Sequence, residues 1–293
     1  MKKIVLIILG IFLAVIPISQ KQDNAKLLFV GDMNFDRYIR QVADTRGEDF
    51  VFSCIGDFLK DSDLVVGNLE GPVTDNASVS VGTEIGSPDN FVFTFPFTTP
   101  KLLNRYNIKL VNLGNNHIDD FGQEGMLSTR SYLEKSGVGY FGGFGGNEPV
   151  YYTKLGGTEI AFISYNQFGG DSSQGVADKI SKESGIGRTV IVYAHWGEEY
   201  SPVTSSVRNA ATLFAKSGAE VIVGSHPHII LPSEKIGDAV VYYSLGNFIF
   251  DQYWDSEVRT GLVLELNIKN RQIKILEHRV VMNIDGRTCL TTD

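Results

Sequence analysis

Six short apolar runs, each giving way at once to Asp, Glu, Asn or His, constrain this 293-residue chain more than any other feature. They are "KLLFV" (26–30), "DLVVG" (63–67), "IKLVNL" (108–113), "TVIVYA" (189–194), "AEVIVG" (219–224) and "AVVYYSL" (239–245). Near-continuous apolar runs of this length read as strands covered on both faces. Helical patterns lie between them, as in "QEGMLSTRSYLEKSG" (123–137), closed by glycine, and "SSVRNAATLFAKSGA" (205–219), opened by serine. This alternation implies an α/β fold whose sheets are covered by helices.

Two stretches alternate apolar and polar residues and read as hairpins. "VYYTKLGGTEIAFISY" turns at Gly156-Gly157, and "GLVLELNIKNRQIKILEHRVV" turns around Lys269-Asn270-Arg271, completing a sheet near the C-terminus. Residues 75–90 and 166–186, rich in Gly, Ser and Asp, read as loops. Cys54 and Cys289 show no metal or redox spacing. A disulfide between them is open to a protein outside the cytoplasm, but Cys54, inside the apolar "FVFSCIGDFL", reads as a small core residue.

The N-terminus places Lys2 and Lys3 ahead of an apolar run from Ile4 to Ile18 and then turns polar. Residues 1–24 therefore read as an export signal or an N-terminal membrane anchor, with residues 25–293 as one domain. The expected location is the outer face of the cell membrane, or a secreted or periplasmic one if the signal is cleaved. A net charge of −8 argues against a nucleic-acid partner, which would need clustered Lys and Arg. An anionic substrate would need local help, such as metal ions.

The polar residues that follow the six strands supply that help. In open α/β sheets, ligand sites lie beyond the carboxyl ends of strands, so "GDMNFDR", "NLEGP", "GNNHIDDFG", "HWGEEY", "SHPH" and "GNFIFD" can converge on one crevice. Four of the five histidines fall within them. His226 and His228, at i and i+2 about Pro227, point the same way if the segment is extended. His278, inside the last hairpin, reads as structural. Carboxylate, carboxamide and imidazole donors together suit one or two divalent ions such as Mn, Fe or Zn. A two-cation site can hold both oxygens of a phosphoester during displacement.

Taken in order, "VGDMNFDR", "GNLEGPV", "NLGNNHIDDFG", "AHWGEEY", "GSHPH" and "YSLGNFIFDQ" resemble the bacterial capsule-synthesis, or poly-γ-glutamate biosynthesis, proteins related to the calcineurin-like metallophosphoesterases. The resemblance covers roughly residues 26 to 255 and implies a four-layer α/β/β/α sandwich. It makes Asp32, Glu70, Asn116, His195, His226 and His228 metal ligands, His117 the general acid, and Asp120 the group that holds its imidazole. Arg37, Asn68 and Glu199 become candidates for substrate contact, while Asn247 and Asp251 read as supporting residues. Two departures stand out: Asn34 occupies the place of the usual histidine in Asp-x-His, and Asn68 and Glu70 replace the usual bridging Asp, leaving open which of them bridges. The function implied is an exported metal-dependent phosphoesterase-like hydrolase in capsule or poly-γ-glutamate synthesis. A non-catalytic, metal-bearing component of a synthesis and export complex is the alternative. Expected partners are an anionic polymer or phosphoester substrate and membrane-bound synthesis proteins.

Overall fold

A computed structural model describes residues 24–84, 86–145 and 150–291. The export segment expected at residues 1–24 lies, apart from Asn24, outside them. Among the described residues, no helix is long and apolar enough to cross a membrane.

The strands in chain order are β1 (Asn24–Met33), β2 (Leu64–Leu69), β3 (Ile108–Asn112), β4 (Gly139–Phe141), β5 (Tyr151–Leu155), β6 (Thr158–Asn166), β7 (Thr189–His195), β8 (Val221–Ser225), β9 (Ile230–Ile236), β10 (Ala239–Leu245), β11 (Asn247–Ile249), β12 (Thr260–Lys269), β13 (Gln272–Met282) and β14 (Thr288–Leu290). The helices are α1 (Arg37–Arg46), α2 (Gly56–Lys60), α3 (Thr99–Arg105), α4 (Gly122–Lys135), α5 (Ser173–Gly185) and α6 (Ser205–Lys216). One sheet runs β14-β13-β12-β1-β2-β3-β4, with β11 pairing alongside β1, and the other runs β5-β6-β7-β8-β10-β9. In each sheet the inner run is parallel, β1 to β4 in the first and β6-β7-β8-β10 in the second, so several strand carboxyl ends open on the same edge.

The apolar runs are continuous because both faces of each strand are covered. Along β1, Leu27 and Phe29 face the other sheet, packing with Val66, Leu110, Phe162, Tyr193 and Val223. Leu28 and Val30, one residue out of phase, pack on the opposite face with Ile39 of α1, Leu59 of α2, Leu102 of α3 and Leu133 of α4. Helices α5 and α6 cover the outside of the second sheet through Val176, Ile180, Val207 and Phe214. The layers are thus α/β/β/α, as expected.

Both hairpins form. Gly156 and Gly157 turn β5 into β6 with φ of 53° and 75°, and Asn270-Arg271 turn β12 into β13 with φ of 46° and 68°. The second hairpin does more than extend an edge, since β12 pairs directly with β1. The expected loop at 166–186 is a correction: residues 173–185 form α5. Ser172 caps it by accepting a hydrogen bond from Gly175 N at 3.0 Å, and Val176, Ala177 and Ile180 supply a narrow buried stripe. Flanking Gly, Ser and Asp hide that stripe in the sequence.

Cys54 is a second correction. It lies on an exposed turn before α2 rather than in the core, and it is disulfide-bonded to Cys289 of β14, 235 residues away, with Cα atoms 4.8 Å apart. The bond ties the last strand to the helical face that covers the first sheet. Cross-linking across so long a loop restricts the unfolded chain. Replacing Cys54 with Ser should lower the unfolding free energy by about 2–5 kcal/mol, read from denaturant curves. An unchanged midpoint would show that the bond carries no stability.

Candidate metal centre

The strand ends bring the polar residues to one point. Gly31 allows β1 to touch the β10–β11 connection, because a Cβ there would lie 1.9 Å from Gly246 O. Asp32 N then donates to Gly246 O at 3.1 Å, fixing the first carboxylate at the sheet edge. Glu70 follows β2, His195 ends β7, and His226 and His228 follow β8. Asp32, Glu70 and His195 are 0% exposed, and His226 and His228 only 5% and 3%.

Two overlapping donor sets result. Asp32, Glu70 and His195 form one, and Glu70, His226 and His228 the other, with the ligand atoms of each set within 4.8 Å of one another. Glu70 belongs to both. Its Oε1 lies 3.9 Å from His195 Nε2 and 3.6 Å from His228 Nε2, is buried, and has no hydrogen-bond partner. His226 Nδ1 is likewise buried and unpartnered. Two orphaned acceptor-type atoms inside such a donor set fit a cation.

Neighbouring polar groups aim these side chains. His228 Nδ1 donates to Asn247 Oδ1 at 2.8 Å, which commits its Nε2 to the cluster. His195 Nδ1 lies 2.9 Å from Ser225 Oγ, leaving Nε2 against Asn116 Oδ1 at 2.7 Å. Asn68 Nδ2 donates to Asp32 Oδ1 at 2.8 Å, and its Oδ1 accepts from Asn112 at 3.1 Å and Asn115 at 3.2 Å. His226 N donates to Asp32 Oδ2 at 3.1 Å.

Burial dominates the electrostatics. It pushes the Asp32 carboxyl up to about 6, and Glu70 is raised well above the usual carboxylate range by burial and then by the charge of Asp32. The same burial lowers His226 to about 4 and His228 to about 3, and holds His195 well below the usual imidazole range. The imidazoles are therefore neutral at neutral pH and cannot compensate the carboxylates. A cation can.

Most of the expected residues meet here, but some for different reasons. His226 and His228 do converge, their ring centroids 6.0 Å apart, yet not on an extended segment: both sit in a bend at positive φ, 93° and 57°. Strain of about 1–3 kcal/mol per residue is typical of such positions. His117 stands beside Asn116 with Nδ1 3.0 Å from Asp120 Oδ2, and Asp120 also accepts from Phe93 N at 2.7 Å. Glu199 is exposed at the rim, close enough for its charge to raise Asp32 and Glu70. Arg37 is ion-paired to Asp251 and lies over the Phe93 and Phe250 rings at 5.1 and 5.3 Å.

Asn68 is fully buried, with both ends of its amide bonded, and its Nδ2 grips Asp32. Asn34 Oδ1 accepts from Asp36 N at 2.8 Å, so that amide oxygen is engaged in its own turn. His278 pairs with Glu265 at 3.0 Å, away from the centre, as expected of a structural residue. Sequence reasoning missed Ser225, Asn112 and Asn115, although the last two stand in the same polar run, "NLGNNH", as Asn116.

The family model described as "Bacterial capsule synthesis protein PGA_cap" matches residues 26–252, a span that contains every residue of this cluster. The chain is 31% identical over 271 residues to the PGA biosynthesis protein CapA of Bacillus subtilis (strain 168), covering 86% of this chain and 70% of that protein. It is 27% identical over 289 residues to the capsule biosynthesis protein CapA of Bacillus anthracis, covering 90% and 69% respectively.

The pKa shifts set the sign of a pH effect. Below about 6 Asp32 holds a proton that a cation must displace, and burial and the Asp32 charge favour a proton on Glu70 too, whereas His226 and His228 are already neutral there. Mn affinity should therefore rise as pH climbs from about 5.5 to 7.5, by up to about tenfold per unit for each proton released. Calorimetry in buffers of different ionisation enthalpy would show that release. A flat affinity across this range would contradict the buried-carboxylate account.

Proposed function

The chain belongs to the bacterial capsule synthesis protein family PGA_cap, and from that membership we propose that it is an exported, metal-dependent hydrolase of the phosphoesterase type acting in capsule or poly-γ-glutamate synthesis. The observation that carries this reading is Glu70 shared between two buried donor sets, beside an imidazole already oriented by a carboxylate.

In this reading Asp32, Glu70, Asn116, His195, His226 and His228 hold one or two divalent ions, with Glu70 rather than Asn68 common to both positions. Such ions polarise a phosphoryl oxygen and favour ionisation of water at neutral pH. The protein's own residues do the rest. Asp120 accepts from His117 Nδ1, so that in the imidazolium form Nε2 carries the proton that passes to the departing oxygen. Asn247 fixes the tautomer of His228, Ser225 braces the His195 ring, and Asn68 keeps Asp32 from rotating away. The substrate is a phosphoester or a segment of anionic polymer, brought to the acidic chain by the cations rather than by a basic patch.

Export is supported by the lysine-led apolar run at residues 2–18 and by the Cys54–Cys289 disulfide, a bond characteristic of oxidising compartments. Membrane-bound capsule or poly-γ-glutamate synthesis proteins are the partners such a location would offer. One observation favours the alternative of a cation-bearing, non-catalytic component: Asn34 spends its oxygen on Asp36 N, so one cation position has fewer donors.

Replacing His117 with Gln separates the two. Hydrolysis of an alkyl phosphodiester, whose alkoxide leaving group needs a proton, should fall by about 10²–10⁴-fold, with cation content by elemental analysis unchanged. Hydrolysis that survives the substitution would remove His117 from the chemistry, and hydrolysis absent from the wild-type protein loaded with Mn, Fe and Zn in turn would leave the non-catalytic reading.

A further inference from the structure

Beside the metal centre lies an open cleft of about 320 Å³ whose wall includes Arg37, Tyr38, Asn90, Asp251, Tyr253 and Trp254. Only one ring thickness separates the two. Phe93 packs on His117 at 4.3 Å and Phe250 on His228 at 4.9 Å, and both rings also flank Arg37. Tyr200 continues the connection, its ring 6.0 Å from His228 and 5.7 Å from Trp254. It stands at φ 55°, and Arg37 at φ 48°, so both share the positive-φ backbone of His226 and His228. The cleft therefore adjoins the metal centre, with the buried Phe93 and Phe250 rings as the wall between them.

The lining says what kind of chain. Its charged residues are Arg37 and Asp251, and these neutralise each other as an ion pair. Arg37 also donates to Asn90 Oδ1 at 3.4 Å, and Asn90 donates to Thr83 Oγ1 at 3.0 Å, so the guanidinium is bound into a polar wall and offers little uncompensated charge. A polycarboxylate would find no counter-charge here. What the cleft does offer is flat aromatic surface and short polar groups. Trp254 is 60% exposed and Tyr38 38%, with Tyr38 braced edge-on against Tyr253 at 6.0 Å. Exposed Gln41 stands beside them as a neutral donor and acceptor, while the Thr83 hydroxyl is spent on Ser80 O and Asn90 within the wall. Aromatic faces bind apolar C–H surface, and neutral hydroxyl and amide groups satisfy hydroxyls that would otherwise lose water. Sugar rings present both.

We propose that this cleft is a subsite for a neutral pyranose ring of a glycan chain, stacked on Trp254 and Tyr38 and hydrogen-bonded by Gln41. The proposal rests on the proposed function only in that the cleft adjoins the metal centre described above. It does not require that hydrolysis occur.

The chain has two tryptophans, and Trp196 is fully buried, so a fluorescence change caused by a surface ligand reports Trp254. Titration of the purified full chain with tetra-N-acetylchitotetraose should give a saturable change that does not weaken with added salt. Binding by calorimetry should fall roughly tenfold or more in Trp254→Ala and in Gln41→Ala, two exposed positions whose substitution leaves the core untouched. Circular dichroism would confirm that both variants are folded. The response should persist in His117→Gln, so that a failure of the hydrolase reading and a failure of this one are told apart. No saturable response, an affinity unchanged in both cleft variants, or a salt-sensitive preference for hexa-γ-glutamate at Trp254 would each overturn the proposal.

Discussion

Two carboxylates that the fold removes wholly from water set the terms for the rest of the site. Asp32 and Glu70 are both fully buried, and the groups within ion-pair distance of them are imidazoles that burial keeps neutral. Leaving such charges unpaired costs several kcal/mol per group by general experience, so they must either hold protons or share a cation. The fold is built to permit the second option. Asn68 and the His226 amide grip Asp32, Asn247 turns His228 and Ser225 holds His195, so that the open donors face a common centre.

The paired parallel strands make that convergence possible. β1, β2 and β3 of one sheet and β7, β8 and β10 of the other end at the same edge, and the close approach at Gly31 and Gly246 brings their last residues into contact. The strained bend at His226-Pro227-His228 is the local cost of turning two imidazoles inward from one strand end. The disulfide and the β12 strand brace the first sheet from its other side, far in sequence from the residues they support.

Much of this was legible in the sequence, because strand ends announce themselves by an abrupt change from apolar to polar. Asp32, Asn116, His195, His226 and His228 could all be placed by that change alone, and the ordered motifs supplied the four-layer fold. What stayed hidden depended on contacts between distant segments. Cys54 looked like core because its neighbours are apolar, but its partner lies 235 residues away and on the surface side. Asn68 read as a candidate for substrate contact, and its grip on Asp32 shows only in its bonds to Asp32, Asn112 and Asn115. Helix α5 was masked by flanking Gly, Ser and Asp, since three buried apolar side chains are too few to mark a period.

The claim on which this account turns is that the buried carboxylates and imidazoles grip cations together. Anomalous diffraction from crystals of the Mn-loaded protein addresses it directly. The account predicts a peak within bonding distance of Glu70, with Asp32 and His195 on one side and His226 and His228 on the other. Well-ordered, protein-only density at these residues at saturating Mn, with no anomalous signal among them, would contradict it.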